Sequence, residues 1–292
     1  MKWGKKRMHL PDASEDVRAN ESTLRVDSRL ESDTLVITFA VFPSADGKPR
    51  FDFVRATSAL NAKRVFVRDA YQMWYQKGTP SLGGSVPEVA ASLRRIIDEQ
   101  KVKRLITIGN SGGGFAAILF GVMLGVDEIH AFNPPTRLVT PDDTSFPENL
   151  LALQKEFGPG EPFMDLRVVL GEHLKPTTHI TMHYSRGDKT DRRHARYLAS
   201  FPNVRIIQYP VVVHSLARFC NERGLLAPLL EAVVNQDDLA FAQLVRRIKK
   251  AGAVSYVPSR ISWFFKKSWS RIHRYSHQLF AALIGSSSLL DL

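Results

Sequence analysis

The chain has 292 residues, 44% of them hydrophobic and 24% charged, which is ordinary for a globular protein and enough to bury a sizeable core. No run of eighteen apolar residues occurs, which argues against a membrane-spanning helix, and the single cysteine, Cys220, rules out an intramolecular disulfide. The net charge of +11 gathers at one end, because Leu239 to Leu290 hold nine basic residues and no acid, so the remainder is near neutral.

Residues 1–21 read as a solvated leader expected to be disordered or loosely packed. Lys2, Lys5, Lys6 and Arg7 are followed by the acidic stretch Asp12 to Glu21 and not by an apolar core, unlike a secretory signal. Leu24, Val26 and Leu30 form an alternating edge strand, and Thr34 to Phe42 a stronger one. Pro43 to Pro49 is a loop, Phe51 to Leu60 a short helix, and Arg64 to Arg68 a strand ending at Asp69. A loop over 70–84 carries Tyr71, Trp74 and Tyr75 among glycines.

Val86 to Gln100 has helical spacing, with Val89, Leu93, Ile96 and Ile97 on one face. A strand at 104–108 and an apolar helix at 112–124 follow, then a strand at 128–132 broken by Asn133-Pro134-Pro135. Residues 134–175 hold six prolines and one helical patch, Pro147 to Phe157, and read as a lid. The strand 180–184, a helix at 191–199, the strand 204–209, and helices at 215–224 and 226–235 complete the order. Such alternation predicts an α/β fold, a mostly parallel sheet with helices on both faces. The expected organisation is a leader (1–21), one domain (22–236) with a lid at 134–175, and a basic amphipathic helical extension (237–292).

The turn between strand 104–108 and the next helix contains G-x-S-x-G as Gly109, Asn110, Ser111, Gly112 and Gly113. A strand that turns abruptly into a helix leaves little room two residues either side of the serine, and it pushes the hydroxyl out of the carboxyl edge of the sheet. The Gly112 amide then sits at a helix N-terminus, where it can meet a developing oxyanion. A serine hydroxyl needs a base and an orienting acid, and later loops supply candidates. Ser185-Arg186-Gly187-Asp188 follows one strand and Val213-His214-Ser215 follows the next. Asp191 is a rival acid, but a place as first residue or cap of helix 191–199 would account for it, so Asp188 is the expected one.

Together, Gly109-Asn110-Ser111-Gly112-Gly113, Gly187-Asp188 and His214 resemble the α/β-hydrolase superfamily over residues 24–235. The resemblance implies Ser111 as nucleophile, His214 as general base and acid, Asp188 as orienting acid, and a site at the carboxyl ends of the strands. The family's second oxyanion donor follows its third strand, often in a His-Gly pair. Here the stretch reads Phe39-Ala40-Val41-Phe42-Pro43, so Val41 or Phe42 must supply that amide, since proline has none. Asp69, Trp74 and Tyr75 are candidate substrate contacts, although a turn and core packing would also account for them.

His179 and His183 share a strand face without metal-ligand spacing, so neither a metal nor another cofactor is expected. Cys220 reads as a small buried hydrophobe in a helix. In the extension, apolar residues at helical spacing, Trp263, Trp269 and five basic residues over 259–284 suit either an anionic membrane surface or packing on the body or a second copy. No nucleic-acid recognition motif accompanies the charge. The expected activity is hydrolysis of a small-molecule, glycan or lipid acyl ester by a serine hydrolase in the cytoplasm or at the inner face of the membrane. An acyltransferase and a non-catalytic binding or assembly protein are the alternatives.

Overall fold

The structure is a computed structural model; it describes residues 22–43, 49–138, 147–158 and 160–254. Seven strands form one sheet: β1 (Leu24–Asp27), β2 (Thr34–Ala40), β3 (Lys63–Arg68), β4 (Arg104–Asn110), β5 (Glu128–Phe132), β6 (His179–Ser185) and β7 (Val204–Tyr209). Their spatial order is β1-β3-β2-β4-β5-β6-β7, and all pairs are parallel except β1 with β3. The central strands are buried on both faces, which is why β2 and β4 read as largely apolar runs.

The helices among the described residues are α1 (Val86–Gln100), α2 (Gly112–Leu124), α3 (Pro147–Phe157), α4 (Leu166–His173), α5 (Lys189–Tyr197), α6 (Leu216–Glu222), α7 (Leu226–Val234) and α8 (238–254). Helix α1 starts where the Ser85 hydroxyl accepts the Glu88 N–H, while Glu88 Oε2 accepts the Gly84 N–H at 2.7 Å. It buries Val89, Leu93 and Ile97 and turns its charged residues outward. Helix α2 packs on β2, β4, β5 and α4 with nearly every side chain buried, and its sequence is accordingly apolar all round.

Two apolar clusters cover the two faces of the sheet. One includes residues of α1, α2, α4 and α5, and the other residues of α6, α7 and α8. Phe241, Leu244, Val245 and Ile248 of α8 are buried in the second cluster. Residues 238–254, which the sequence reading joins to the extension, therefore pack on the sheet-bearing body. The segment 259–284 lies outside the described residues.

Residues 51–60 form turns in place of the expected helix. Phe53 has φ of 64°, a left-handed conformation that stops a helix from starting there, and the Thr57 hydroxyl donates back to the Phe53 carbonyl at 2.9 Å. The turns themselves bury Ala56 and Leu60. The 134–175 segment holds a second helix, α4, that its prolines obscured.

Candidate active site

The turn at Ser111 is dictated by sterics. A Cβ on Gly109 would stand 1.9 Å from the Gly113 carbonyl oxygen, and one on Gly113 would stand 2.1 Å from that of Phe39. No side chain fits at either place. Ser111 itself has φ of 53° and ψ of −122°, a strained backbone for a non-glycine residue. It is held by its N–H donating to the Phe132 carbonyl at 2.7 Å and by the start of α2. As the first residue of α2, Gly112 has no acceptor within the helix for its N–H.

Ser111 Oγ lies 3.0 Å from His214 Nε2, and His214 Nδ1 lies 2.7 Å from Asp191 Oδ1. The acid beside His214 is thus Asp191, and not Asp188. Asp188 is the N-cap of α5, its Oδ1 accepting the N–H groups of Thr190 at 2.8 Å and Asp191 at 3.0 Å. The two aspartates exchange the roles expected of them. The reason is that capping fixes Asp188 at the helix mouth and leaves the carboxylate of Asp191, in the first turn, pointing at the imidazole.

Burial pushes the Asp191 carboxyl above the usual range, while hydrogen bonds and charge from His214 and a hydrogen bond from Asn133 draw it back. Asn133 Nδ2 donates to Asp191 Oδ2, and Asn133 Oδ1 accepts the Leu216 N–H at 3.3 Å. Sequence reading passed over Asn133 as a strand breaker. Its left-handed φ of 47° directly after β5 is the feature that brings its amide to the acid.

The stretch after β3 is organised by Asp69. Its carboxylate, 3% exposed, accepts N–H groups from Tyr71, Gln72, Met73 and Tyr75 at 2.8, 3.1, 2.8 and 2.9 Å. Gln72, Trp74 and Tyr75 all have positive φ, a costly run that persists because Asp69 holds it. Tyr75 is fully buried, with its hydroxyl donating to the Ala40 carbonyl at 2.8 Å and its ring edge-on to Phe39 and Phe120. Asp69 and Tyr75 are therefore set in the wall, their polar atoms committed to backbone, and do not face a substrate as the sequence reading allowed. Trp74 does reach the site, edge-on to Phe42 at 5.1 Å between ring centroids.

The structure is similar to that of the capsule O-acetyltransferase of Neisseria meningitidis serogroup A, with a TM-score of 0.54, 15% identity, and coverage of 70% of this chain and 90% of that one. A histidine-to-alanine mutant of that protein in complex with CoA gives a TM-score of 0.51 at 14% identity, with the same coverage. The S-formylglutathione hydrolase of Agrobacterium tumefaciens gives 0.44 at 13% identity, covering 63% of this chain and 78% of that one. The sequence matches no protein-family model and no curated protein sequence.

The chain has the α/β-hydrolase fold. This α/β-hydrolase sheet carries Ser111 at the carboxyl end of β4, Asn133 after β5, Asp191 after β6 and His214 after β7, so the strand alternation alone gathers them on one edge. Val41 and Phe42 follow β2 and line the space at Ser111 together with Gly112, and a Cβ on Gly112 would come within 3.0 Å of that of Val41.

Two cavities meet at Ser111 and Phe42. The larger, about 1040 Å³, is a groove along Val41, Phe51, Phe53 and Leu226 that also carries Arg50, Arg55 and Arg218. The smaller, about 40 Å³, is walled by Phe42, Trp74, Pro135, Leu138 and Leu150, with Asp191 and His214 on its other side. Leu138 and Leu150 belong to the segment between β5 and β6 that the sequence reads as a lid. That segment is tied to the Trp74 loop by Asn149 Nδ2 donating to the Gln72 carbonyl at 3.2 Å.

Proposed function

We propose that the protein is a serine acyl hydrolase that cleaves an ester or related acyl bond through an acyl-enzyme on Ser111. The carrying observation is the hydrogen-bonded line from Ser111 Oγ through His214 to Asp191, at 3.0 and 2.7 Å. In this reading His214 Nε2 takes the hydroxyl proton as Oγ bonds to the acyl carbon, and Asp191 holds the imidazole in the required tautomer. The Gly112 N–H, with the amide of Val41 or Phe42, receives the oxyanion. The C–O bond to the leaving alcohol then breaks as His214 returns the proton. A water deprotonated by His214 finally releases the acid and restores the serine.

A second reading is favoured by the groove. A space of about 1040 Å³ bearing three arginines is large enough to hold an acceptor alcohol or an anionic acyl donor beside Ser111. The same acyl-enzyme would then be resolved by an alcohol, giving an acyltransferase. The likeness to a capsule O-acetyltransferase agrees with either chemistry.

The test is reaction with a fluorophosphonate probe. Labelling that disappears in Ser111→Ala supports the assignment, and no labelling, or labelling that survives the substitution, refutes it and favours a non-catalytic role. Adding polyols to the acyl-enzyme separates the two readings by whether acyl transfer or acid release grows.

A further inference from the structure

We propose that the 40 Å³ chamber beside Ser111 is the acyl site, that it takes an acetyl-sized group, and that the Trp74 indole N–H donates to the acyl oxygen. The inference rests on the Ser111 reading above and adds to it the class of acyl group.

Size is the first argument. A cavity of about 40 Å³ accommodates roughly two or three water-sized groups, which is an acetyl group and not a long chain. Its walls are apolar on the side of Phe42, Trp74, Pro135, Leu138 and Leu150, and four of these five come from the Trp74 loop and the segment after β5, which are tied together. The groove on the other side of Ser111 is some twenty-five times larger by the same measure and carries the arginines. One ester linkage laid across Ser111 would place its small half in the chamber and its large polar half in the groove.

The donor is the second argument. Trp74 Nε1 is buried with no hydrogen-bond partner among the described residues, and Trp74 is 3% exposed. A buried donor is ordinarily paired, so an orphan of this kind points to an acceptor that arrives with the substrate. Its location fits: a Cβ built on Gly112 would stand 3.2 Å from this nitrogen, so the N–H lies beside the amide that receives the oxyanion. The loop holding it adopts positive φ at Gln72, Trp74 and Tyr75 and is clamped by Asp69, which makes Trp74 a rigidly presented donor.

The experiment measures acylation as the nitrophenol burst with p-nitrophenyl acetate, butyrate and octanoate, after fluorophosphonate labelling has established an active Ser111. The expected result is acylation falling by at least about a hundredfold from acetate to octanoate, each surplus methylene in an apolar pocket of this size costing about tenfold or more. Leu150→Ala should enlarge the chamber and recover butyrate at least tenfold relative to acetate. Replacing Trp74 by β-(3-benzothienyl)alanine keeps the bicyclic ring and puts sulfur in place of the N–H, and it should lower acylation by acetate about a hundredfold with little change in KM or melting temperature. Labelling with a flat chain-length profile, or an unaltered rate in the benzothienylalanine variant, overturns the proposal and leaves the Ser111 reading standing. Absence of labelling overturns both.

Discussion

Asp188 caps the helix whose first turn presents Asp191, three residues on, at 2.7 Å from His214 Nδ1. The two carboxylates are thereby separable in experiment. Asp191→Asn should leave the fold intact and lower the acylation rate by about 10³- to 10⁴-fold, since the amide favours the wrong imidazole tautomer. Asp188→Ala should instead cost about 1 kcal/mol of stability as a lost cap, with a much smaller effect on rate. Melting curves and burst kinetics of both variants decide between them, and equal rate losses would contradict the division.

Gly113 of the elbow differs sharply from Gly171 of α4. Gly113→Ala would drive a methyl group to 2.1 Å from the Phe39 carbonyl and should destabilise by about 3 kcal/mol or more. Gly171→Ala, inside α4 with nothing within 4 Å, should stabilise by about 0.5–1 kcal/mol through helix propensity. Chemical denaturation of the two variants checks the contrast.

Asp69→Ala would leave the four N–H groups of residues 71, 72, 73 and 75 without their acceptor. Each buried orphan costs about 1–3 kcal/mol, so the melting temperature should fall steeply. The acylation rate should fall with it as Trp74 leaves its place. A variant with unchanged stability would show that the loop holds its shape without the carboxylate.

Beneath the sheet, His183 stacks on Phe132 at 4.4 Å between ring centroids and hydrogen-bonds His130 at 3.2 Å and Tyr209 at 2.9 Å. Burial, with the charges of His130 and Arg205 behind it, holds its pKa well below 6.5. The unfolded chain takes up a proton at the ordinary value and the folded one does not. The stability from the neutral ring is therefore full above pH 6.5 and is lost as the pH falls below it, with a slope of about 1.4 kcal/mol per pH unit at most. His130 is anchored in turn by Glu128 at 3.2 Å. His183→Gln should lower the melting temperature at pH 7 and flatten its decline between pH 7 and 5, which scanning calorimetry across that range would show.

Some of the site was legible because its causes are local. Gly109, Ser111 and Gly113 lie within one turn where contact with neighbouring backbone admits only glycine, and the apolar strand and helix around them state their own burial. His214 was found because it directly follows the last strand, and alternation of strands and helices sends every such loop to the same edge. The helix 86–100 was legible for the same reason, its face being set by spacing alone.

Other features depend on where chain segments meet, and no window of sequence holds that information. Asp188 reads as the acid and Asp191 as the cap until the helix mouth is placed, because capping and orientation are decided by the direction from which His214 approaches. Asn133 gains its part only when β5 and α6 are adjacent, and Asp69 turns inward only because four amides converge on it. Residues 51–60 read as a helix, yet Phe53 takes a left-handed φ where its ring meets Phe132, and turns result. The sequence by itself thus determined the fold class and marked out Ser111 and His214, which the structure brings to 3.0 Å of each other, through steric rules acting over a few residues. Only the tertiary structure decided the acid, the wall and the shape of the space at Ser111, because these arise from contacts between residues tens of positions apart.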